Sequence, residues 1–198
     1  KTAIKWFGTS DENHPGVKRF LSKGELIIAG KVRFKNKLKS NFDSFLFRPR
    51  ESRLIFQNLG WDRVVSFHTR NAPHRVHEYI QLKAMENTYS DGIYVSPMFG
   101  PKKSGDLLPE YVVKSYQILI EEGMYPENQM VLGGFHTYPR YCGPREALFT
   151  MICRKNMGCS HFIVGRDHSG VGKYYHADDA KEFIKSFNDE LGIKAVFF

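Results

Sequence analysis

Two short stretches gather most of the side chains that could handle a multiply charged anion. The first is His68-Thr69-Arg70-Asn71-Ala72-Pro73-His74-Arg75-Val76-His77-Glu78, which follows the run Arg63-Val64-Val65-Ser66-Phe67 without a break. Three imidazoles, two guanidiniums and an amide within ten residues offer donors to phosphate or sulfate oxygens. A helix starting near His74 would add free N–H groups and the positive end of its dipole. His74 and His77, three apart, then share one helix face. Histidines at an exposed helix start are the plain alternative, and the density of cationic groups right after a strand weighs against it. A zinc site on His74 and His77 is disfavoured: helical metal ligands usually stand four apart, and no third ligand is suggested nearby.

The second stretch is Gly165-Arg166-Asp167-His168-Ser169-Gly170-Val171-Gly172-Lys173, after the apolar run His161-Phe162-Ile163-Val164. Glycines let backbone N–H groups approach an oxyanion, and Arg166 can fork onto phosphate or sulfate. It lacks the G-K-[ST] ending of a P-loop. A glycine-rich turn with a local ion pair is the competing reading. Phe99 to Asp106, with Lys102 and Lys103, could form a basic lid over the same rim. Arg140 and Arg145 would add charge there. Either could instead sit in a structural salt bridge, Arg145 being the better candidate. Cys142, Cys153 and Cys159 have no Cys-His-Asp arrangement around them, and read as small buried or half-buried residues.

The elements that must hold these stretches follow a regular order. Strand-like runs at 63–67, 92–96, 129–132, 161–164 and 194–198 alternate with helical patterns at 74–87, 111–122, 144–156 and 179–191. Gly, Pro and Asp punctuate them at the expected ends. Such alternation implies an α/β fold, a parallel sheet with helices on both faces and ligands at the carboxyl ends of its strands. Residues 1–50 lack that alternation. Val17 to Leu21 reads as a short helix and Leu26 to Phe34 as a strand broken by Gly30. This segment cannot bury a core alone, and we expect it to complete a domain whose beginning lies outside the chain. Lys1 in place of an initiator methionine leads us to expect a fragment or a trimmed chain.

The 198 residues carry 29 Lys+Arg against 21 Asp+Glu, a formal net charge of +8, with 41% hydrophobic and 25% charged residues. That composition is globular and favours anionic partners. The lysines at 31, 35, 37 and 39 read as a solvated connection. A basic nucleic-acid-binding module is the alternative from another class, but the cationic motifs cluster at strand ends rather than on a separate face. No apolar run approaches the roughly 18 residues of a membrane span, so no membrane partner is expected. Three cysteines without metal-type spacing fit a reducing, cytoplasmic setting.

Three motifs resemble the ATP sulfurylase (sulfate adenylyltransferase) family. His68 to His77 is similar to the family's Q-[TL]-R-N-P-x-H-x-[AG]-H. Tyr141-Cys142-Gly143-Pro144-Arg145-Glu146-Ala147 is similar to Y-A-G-P-R-E-A. Arg154 to His168 follows R-K-N-x-G-C-T-H-F-I-V-G-R-D-H almost throughout. His14-Pro15-Gly16-Val17 resembles the segment that closes the family's N-terminal, PUA-like β domain. His68 stands where the family has glutamine, Val76 where it has Ala or Gly, Pro139 where it commonly has Met, and Ser169 where it has Ala.

The resemblance implies a Rossmann-like nucleotidyltransferase domain at 51–198, truncated at its C-terminus, preceded at 1–50 by the end of a β-rich, PUA-like domain and a linker. It implies the reaction of ATP and sulfate to adenosine 5′-phosphosulfate and pyrophosphate, or its reverse, with Mg²⁺ accompanying ATP and no zinc site in this segment. By the same resemblance Thr69, Arg70 and Asn71 flank the reacting α-phosphate, and His74 and His77 hold phosphates and the leaving pyrophosphate. Gly165, Arg166, Asp167 and His168 contact the nucleotide. Arg70 and the backbone N–H of Ser169 hold sulfate, and His68 takes the place of a glutamine that touches both sulfate and nucleotide. A homo-oligomer is compatible with this. The alternatives are an H-x-x-H nucleotidyltransferase acting on a different acceptor and a catalytically weak homologue.

Overall fold

The computed structural model describes residues 1–24, 26, 28–33, 35, 42–101, 105–166, 170–187 and 190–198. Its centre is a parallel sheet. The strands are β1 (Val64–Thr69), β2 (Gly92–Phe99), β3 (Met130–Leu132), β4 (Phe135–His136), β5 (His161–Val164) and β6 (Lys194–Phe197). Their order is β3-β2-β1-β5-β6, and β4 continues alongside the end of β2. Register runs Val64↔Gly92 to Thr69↔Pro97 between β1 and β2, and Val65↔His161 between β1 and β5. The chain moves outward from β1 through β2 to β3, then returns to the other side of β1 with β5 and β6. The reversal falls between β1 and β5, so the crevice that such sheets offer to ligands opens at the carboxyl ends of these two strands.

Helices cover both faces because the buried strands are apolar on both. Val65, Phe67, Ile93, Val95 and Ile163 pack with α4 (Arg75–Thr88) and α5 (Pro109–Glu121), chiefly through Ala84, Met85, Val112 and Tyr116. Val64, Tyr94, Phe162 and Val164 pack with α3 (Pro49–Asn58), α6 (Pro144–Met157) and α7 (Asp179–Lys185), through Phe56, Met151 and Ile184. Burying each such side chain stabilises the fold by about 1.5–3 kcal/mol before chain entropy is set against it. Alternation along β1 sends Phe67 to the α4 layer and His68 toward α6.

The N-terminal quarter differs from expectation. Residues 2–7 form helix α1 (Thr2–Phe7), and α2 (Pro15–Leu21) corresponds to the short helix read from the sequence. A 3₁₀ turn covers Asp43–Phe45. The strand expected over Leu26 to Phe34 is not formed in its described residues: 26 and 28–33 pair with no other strand, and Leu26, Ile28 and Val32 are at least 90% exposed. A strand needs a neighbour for its backbone groups, and none of the described residues supplies one. Helix α7 stops at Lys185, earlier than its apolar spacing suggested; after it the Phe187 amide bonds the Ile184 carbonyl three residues back, a tighter turn than the α-helical one. Among the described residues no helix is long and apolar enough to cross a membrane.

Candidate active site

The cleft at the end of β1 has a volume of about 160 Å³. His68, Thr69, Arg70, Asn71 and His77 line it, together with Phe135, Arg140, Tyr141, Glu146, Thr150 and Gly170. Thr69 is buried, and its hydroxyl accepts the Asn71 amide and faces the Asn71 carbonyl, both at 3.0 Å. This local turn ends β1 and lifts Arg70 to the rim. His68 Nδ1 lies 3.1 Å from the Ser96 carbonyl oxygen on β2, and Arg154 Nη2 approaches the same nitrogen at 3.5 Å.

His74 precedes α4 as its N-cap, its Nδ1 accepting the Val76 amide at 3.3 Å. The expectation that His74 and His77 lie side by side takes the form of two rings in contact, centroids 3.8 Å apart and tilted 31° to one another. His74 is exposed, whereas His77 reaches into the cleft. Burial pushes the His77 imidazole below its ordinary pKa, the neighbouring His74 pushes it further, and the Ala72 carbonyl opposes both. A neutral His77 still offers one N–H.

Gly165 and Arg166 do not line this cleft. They border a separate hollow of about 210 Å³ at the ends of β5 and β6, with Asp178, Lys181, Phe197 and Phe198. Asp167, His168 and Ser169 lie outside the described residues, as do Lys102 and Lys103 of the expected lid and Lys37 and Lys39 of the basic run. Gly170, beyond them, is back in the first cleft.

The far wall comes from the stretch after β3 that was expected at this rim, with Arg140 in the cleft; the roles of Glu146 and Arg154 were not foreseen. Glu146, on the first turn of α6, accepts the backbone amides of Arg140 at 2.9 Å and Cys142 at 3.3 Å. Burial raises its carboxyl pKa, and those amides hold it down. Among the described residues Arg140, rather than Arg145, stands near a carboxylate: its Nη1 is 3.9 Å from Glu146. The Arg140 guanidinium also stacks on Tyr138 and Phe149, while Arg145 lies 5.3 Å from the Phe183 ring. Among the described residues the salt bridge, expected of either arginine and more of Arg145, is made by Arg140, because the N-terminal turn of α6 points residue 146 back along the loop. Behind His68, Arg154 is 1% exposed, with its guanidinium 4.2 Å from the Phe135 ring. No carboxylate pairs with it among the described residues, and its Nε has no hydrogen-bond partner. An unpaired buried cation this close to the cleft favours anions there. Glu146 and Arg154 both occur in the sequence motifs, but their roles depend on what α6 packs against.

The cysteines are free, Cys142 and Cys159 buried and Cys153 half-buried, as expected. Burial pushes the Cys142 and Cys159 thiols up to about 12, so neither forms a nucleophilic thiolate near neutral pH. Among the described residues no cluster of His, Cys, Asp or Glu is arranged to hold a metal ion.

Residues 43–198 match the family model described as ATP-sulfurylase. The chain belongs to the ATP-sulfurylase family. It is 44% identical over 195 residues to a sulfate adenylyltransferase of Pyrococcus abyssi and 44% identical over 195 residues to one of Thermococcus onnurineus. Another, of Halothermothrix orenii, is 41% identical over 194 residues. These alignments cover 97–98% of the chain and 50% of each relative, so the chain spans about half the length of the ATP sulfurylase relatives it matches. A solved structure titled hexameric APS kinase from Thiobacillus denitrificans superimposes with a TM-score of 0.61. It is 21% identical, and the match covers 82% of this chain and 29% of that one. That likeness bears on the α/β fold alone.

Proposed function

We propose that the chain carries the adenylyl-transfer site of an ATP sulfurylase, converting ATP and sulfate to adenosine 5′-phosphosulfate and pyrophosphate, or the reverse. A sulfate oxygen attacks the α-phosphorus of ATP. The bond from that phosphorus to the bridging oxygen breaks, and the electron pair leaves with pyrophosphate. Mg²⁺ enters with ATP on its β- and γ-phosphates as part of the substrate.

The observation that carries this reading is that the two motif strands, β1 and β5, end side by side at the switch point of the sheet. Arg70, with Thr69 and Asn71, is assigned to the α-phosphate and sulfate, and His77 and His74 to the departing phosphates. His68 and the Ser169 amide are assigned to sulfate, and Gly165, Arg166, Asp167 and His168 to the nucleotide. Catalysis then rests on in-line positioning and charge stabilisation, which needs no protein nucleophile and is consistent with the unreactive cysteines.

A second reading, transfer to a different acceptor, is favoured by one observation: an imidazole backed by Arg154 occupies the position of a family glutamine. Pyrophosphate release from ATP by the full-length protein, with sulfate, with molybdate and with no added oxyanion, separates the two. Release that depends on sulfate or molybdate supports the first reading. Release that ignores both overturns it.

Residues 1–50 are assigned to the end of a PUA-like β domain and its linker. The spacing of the exposed Leu26, Ile28 and Val32 suits a strand that pairs outside the described residues. Cytoplasmic location and a homo-oligomeric state complete the proposal. Light scattering on the full-length protein tests the second.

A further inference from the structure

The cleft wall formed by residues 138–143 runs through an unusual backbone. Tyr141 has φ +59°, in the left-handed region that a bulky side chain rarely adopts. Gly143 follows at φ +49° and ψ −119°, a conformation open to glycine. A Cβ at Gly143 would also meet the Tyr175 ring at 2.7 Å. Such strain persists only where neighbours over-determine it.

Here the neighbours stand on two sides. In front, Glu146 accepts the Arg140 and Cys142 amides. Behind, the Tyr175 hydroxyl donates to the Tyr141 carbonyl at 2.8 Å, sharing its one hydrogen with the Phe7 carbonyl at 2.9 Å. The peptide unit between Tyr141 and Cys142 is therefore clamped at its oxygen by Tyr175 and at its N–H by Glu146.

The phenol is itself held from the N-terminal helices. His14 is fully buried, and its Nδ1 accepts the Gly16 and Val17 amides at 3.1 and 3.2 Å as the cap of α2. The ring proton therefore sits on Nε2, 3.2 Å from the Tyr175 oxygen. Next to it, a Cβ at Gly16 would come within 2.4 Å of the Arg140 carbonyl, so α2 lies directly against the back of the wall.

We propose that Tyr175 and His14 are positioning residues for the adenylyl-transfer cleft, and that helices α1 and α2 form its back support. The proposal rests on the reading of the cleft as that site. His14 and Tyr175 are not among the residues that line the cleft. They act by fixing the strained Tyr141 wall opposite Arg70 and His77. A cap and a hydrogen bond that served stability alone would change the melting temperature and leave the cleft unaltered.

Two variants separate these roles in the full-length protein. Tyr175→Phe keeps the ring over Gly143 and removes the hydroxyl. His14→Asn keeps an oxygen to cap α2 and removes the arm that reaches Tyr175. Loss of one such hydrogen bond corresponds to a change of roughly three- to tenfold. We expect each variant to speed hydrogen exchange at the Arg140 and Cys142 amides by that factor, with the β1 and β5 amides unchanged. Sulfate-dependent kcat should fall by a similar factor well below the melting temperature, with the KM for ATP held. Unchanged exchange at 140 and 142 overturns the proposal. Faster exchange with unchanged turnover overturns the link to the cleft. If the wild-type protein shows no sulfate-dependent turnover, the functional reading fails on its own. The exchange arm, with pyrophosphate affinity measured by calorimetry in place of kcat, still decides whether these residues shape the cleft.

Discussion

The loops after β1 and β5 leave the sheet at the same end, yet they border hollows of different chemistry. On the β1 side, the described walls hold Arg70, His77, Arg140, Glu146 and three threonines. On the β5 side, Arg166 and Lys181 stand at the edge of a hollow floored by Val164, Phe197 and Phe198. The first suits a small, highly charged group that needs many donors. The second suits a flat apolar ring with an anionic tail. On the proposed function, a nucleotide laid across the switch point would meet both demands at once, its phosphates toward β1 and its base toward β6. The division assigns different kinetic constants to the two sides: turnover to the first, nucleotide affinity to the second.

The sharpest attempt to break that division is Arg70→Ala. If its guanidinium neutralises charge that develops at the α-phosphate, its loss should lower kcat by about a hundredfold or more, as removal of an oxyanion donor does. The rim position should leave the fold intact, which circular dichroism checks. Near wild-type turnover in a folded variant would remove Arg70 from the reaction.

Arg166→Ala probes the other side. Here the KM for ATP should rise by about tenfold, the size of one charge-assisted hydrogen bond, while the KM for sulfate stays put. Steady-state kinetics with each substrate varied in turn reads both. A change confined to sulfate would reverse the assignment of the two hollows.

Within the β1 side, His77 and His74 should differ. His77→Ala removes a cleft-lining donor and should weaken pyrophosphate binding by roughly fivefold to tenfold. His74→Asn keeps the N-cap of α4, since Asn caps as well as any residue, and should change melting by little. A comparable loss of pyrophosphate affinity in His74→Asn would show that the exposed ring swings onto the ligand. Calorimetric titration of both variants makes the comparison.

The elements that form these walls were legible to different degrees. β1, β2 and β5 announce themselves as short apolar runs bounded by Gly, Pro or charge, because both of their faces are buried. The gathering of His68, Thr69, Arg70, Asn71 and His77 at the carboxyl end of β1 was legible from side-chain type and from the strand before it. α3 was not, since Pro49–Asn58 buries only Ser52 and Phe56 and its other positions are largely polar. The strand read at 26–34 stands unpaired among the described residues: apolar alternation reports a capacity to pair, whereas pairing depends on a neighbour that local sequence does not specify. Glu146 lies within a motif and Tyr175 outside any, and neither shows its role in sequence. Their importance comes from the 141–142 peptide between them, a contact of tertiary origin.

The smallest expected effect is one of stability, and it distinguishes the cleft from its support. His14, His77 and His161 all have imidazole pKa values held below the ordinary 6.5, in each case first by burial. The unfolded chain then binds more protons than the folded one between the lowered value and about 6.5, so stability rises with pH across that window. The full contribution is present above about 6.5 and is lost as pH falls through the folded-state values. Melting temperature should therefore decline on acidification from pH 7.5 to 5. His14→Asn should flatten part of that decline, because it removes one buried proton acceptor. Pyrophosphate should offset the share that belongs to His77, since an anion in the cleft favours its charged ring, and should leave the His14 share untouched. Scanning calorimetry of wild type and His14→Asn at several pH values, with and without pyrophosphate, separates the two. An acid response in His14→Asn identical to wild type would mean that His14 does not resist protonation in the fold. A decline offset fully by pyrophosphate would place all the titration in the cleft and none in its support.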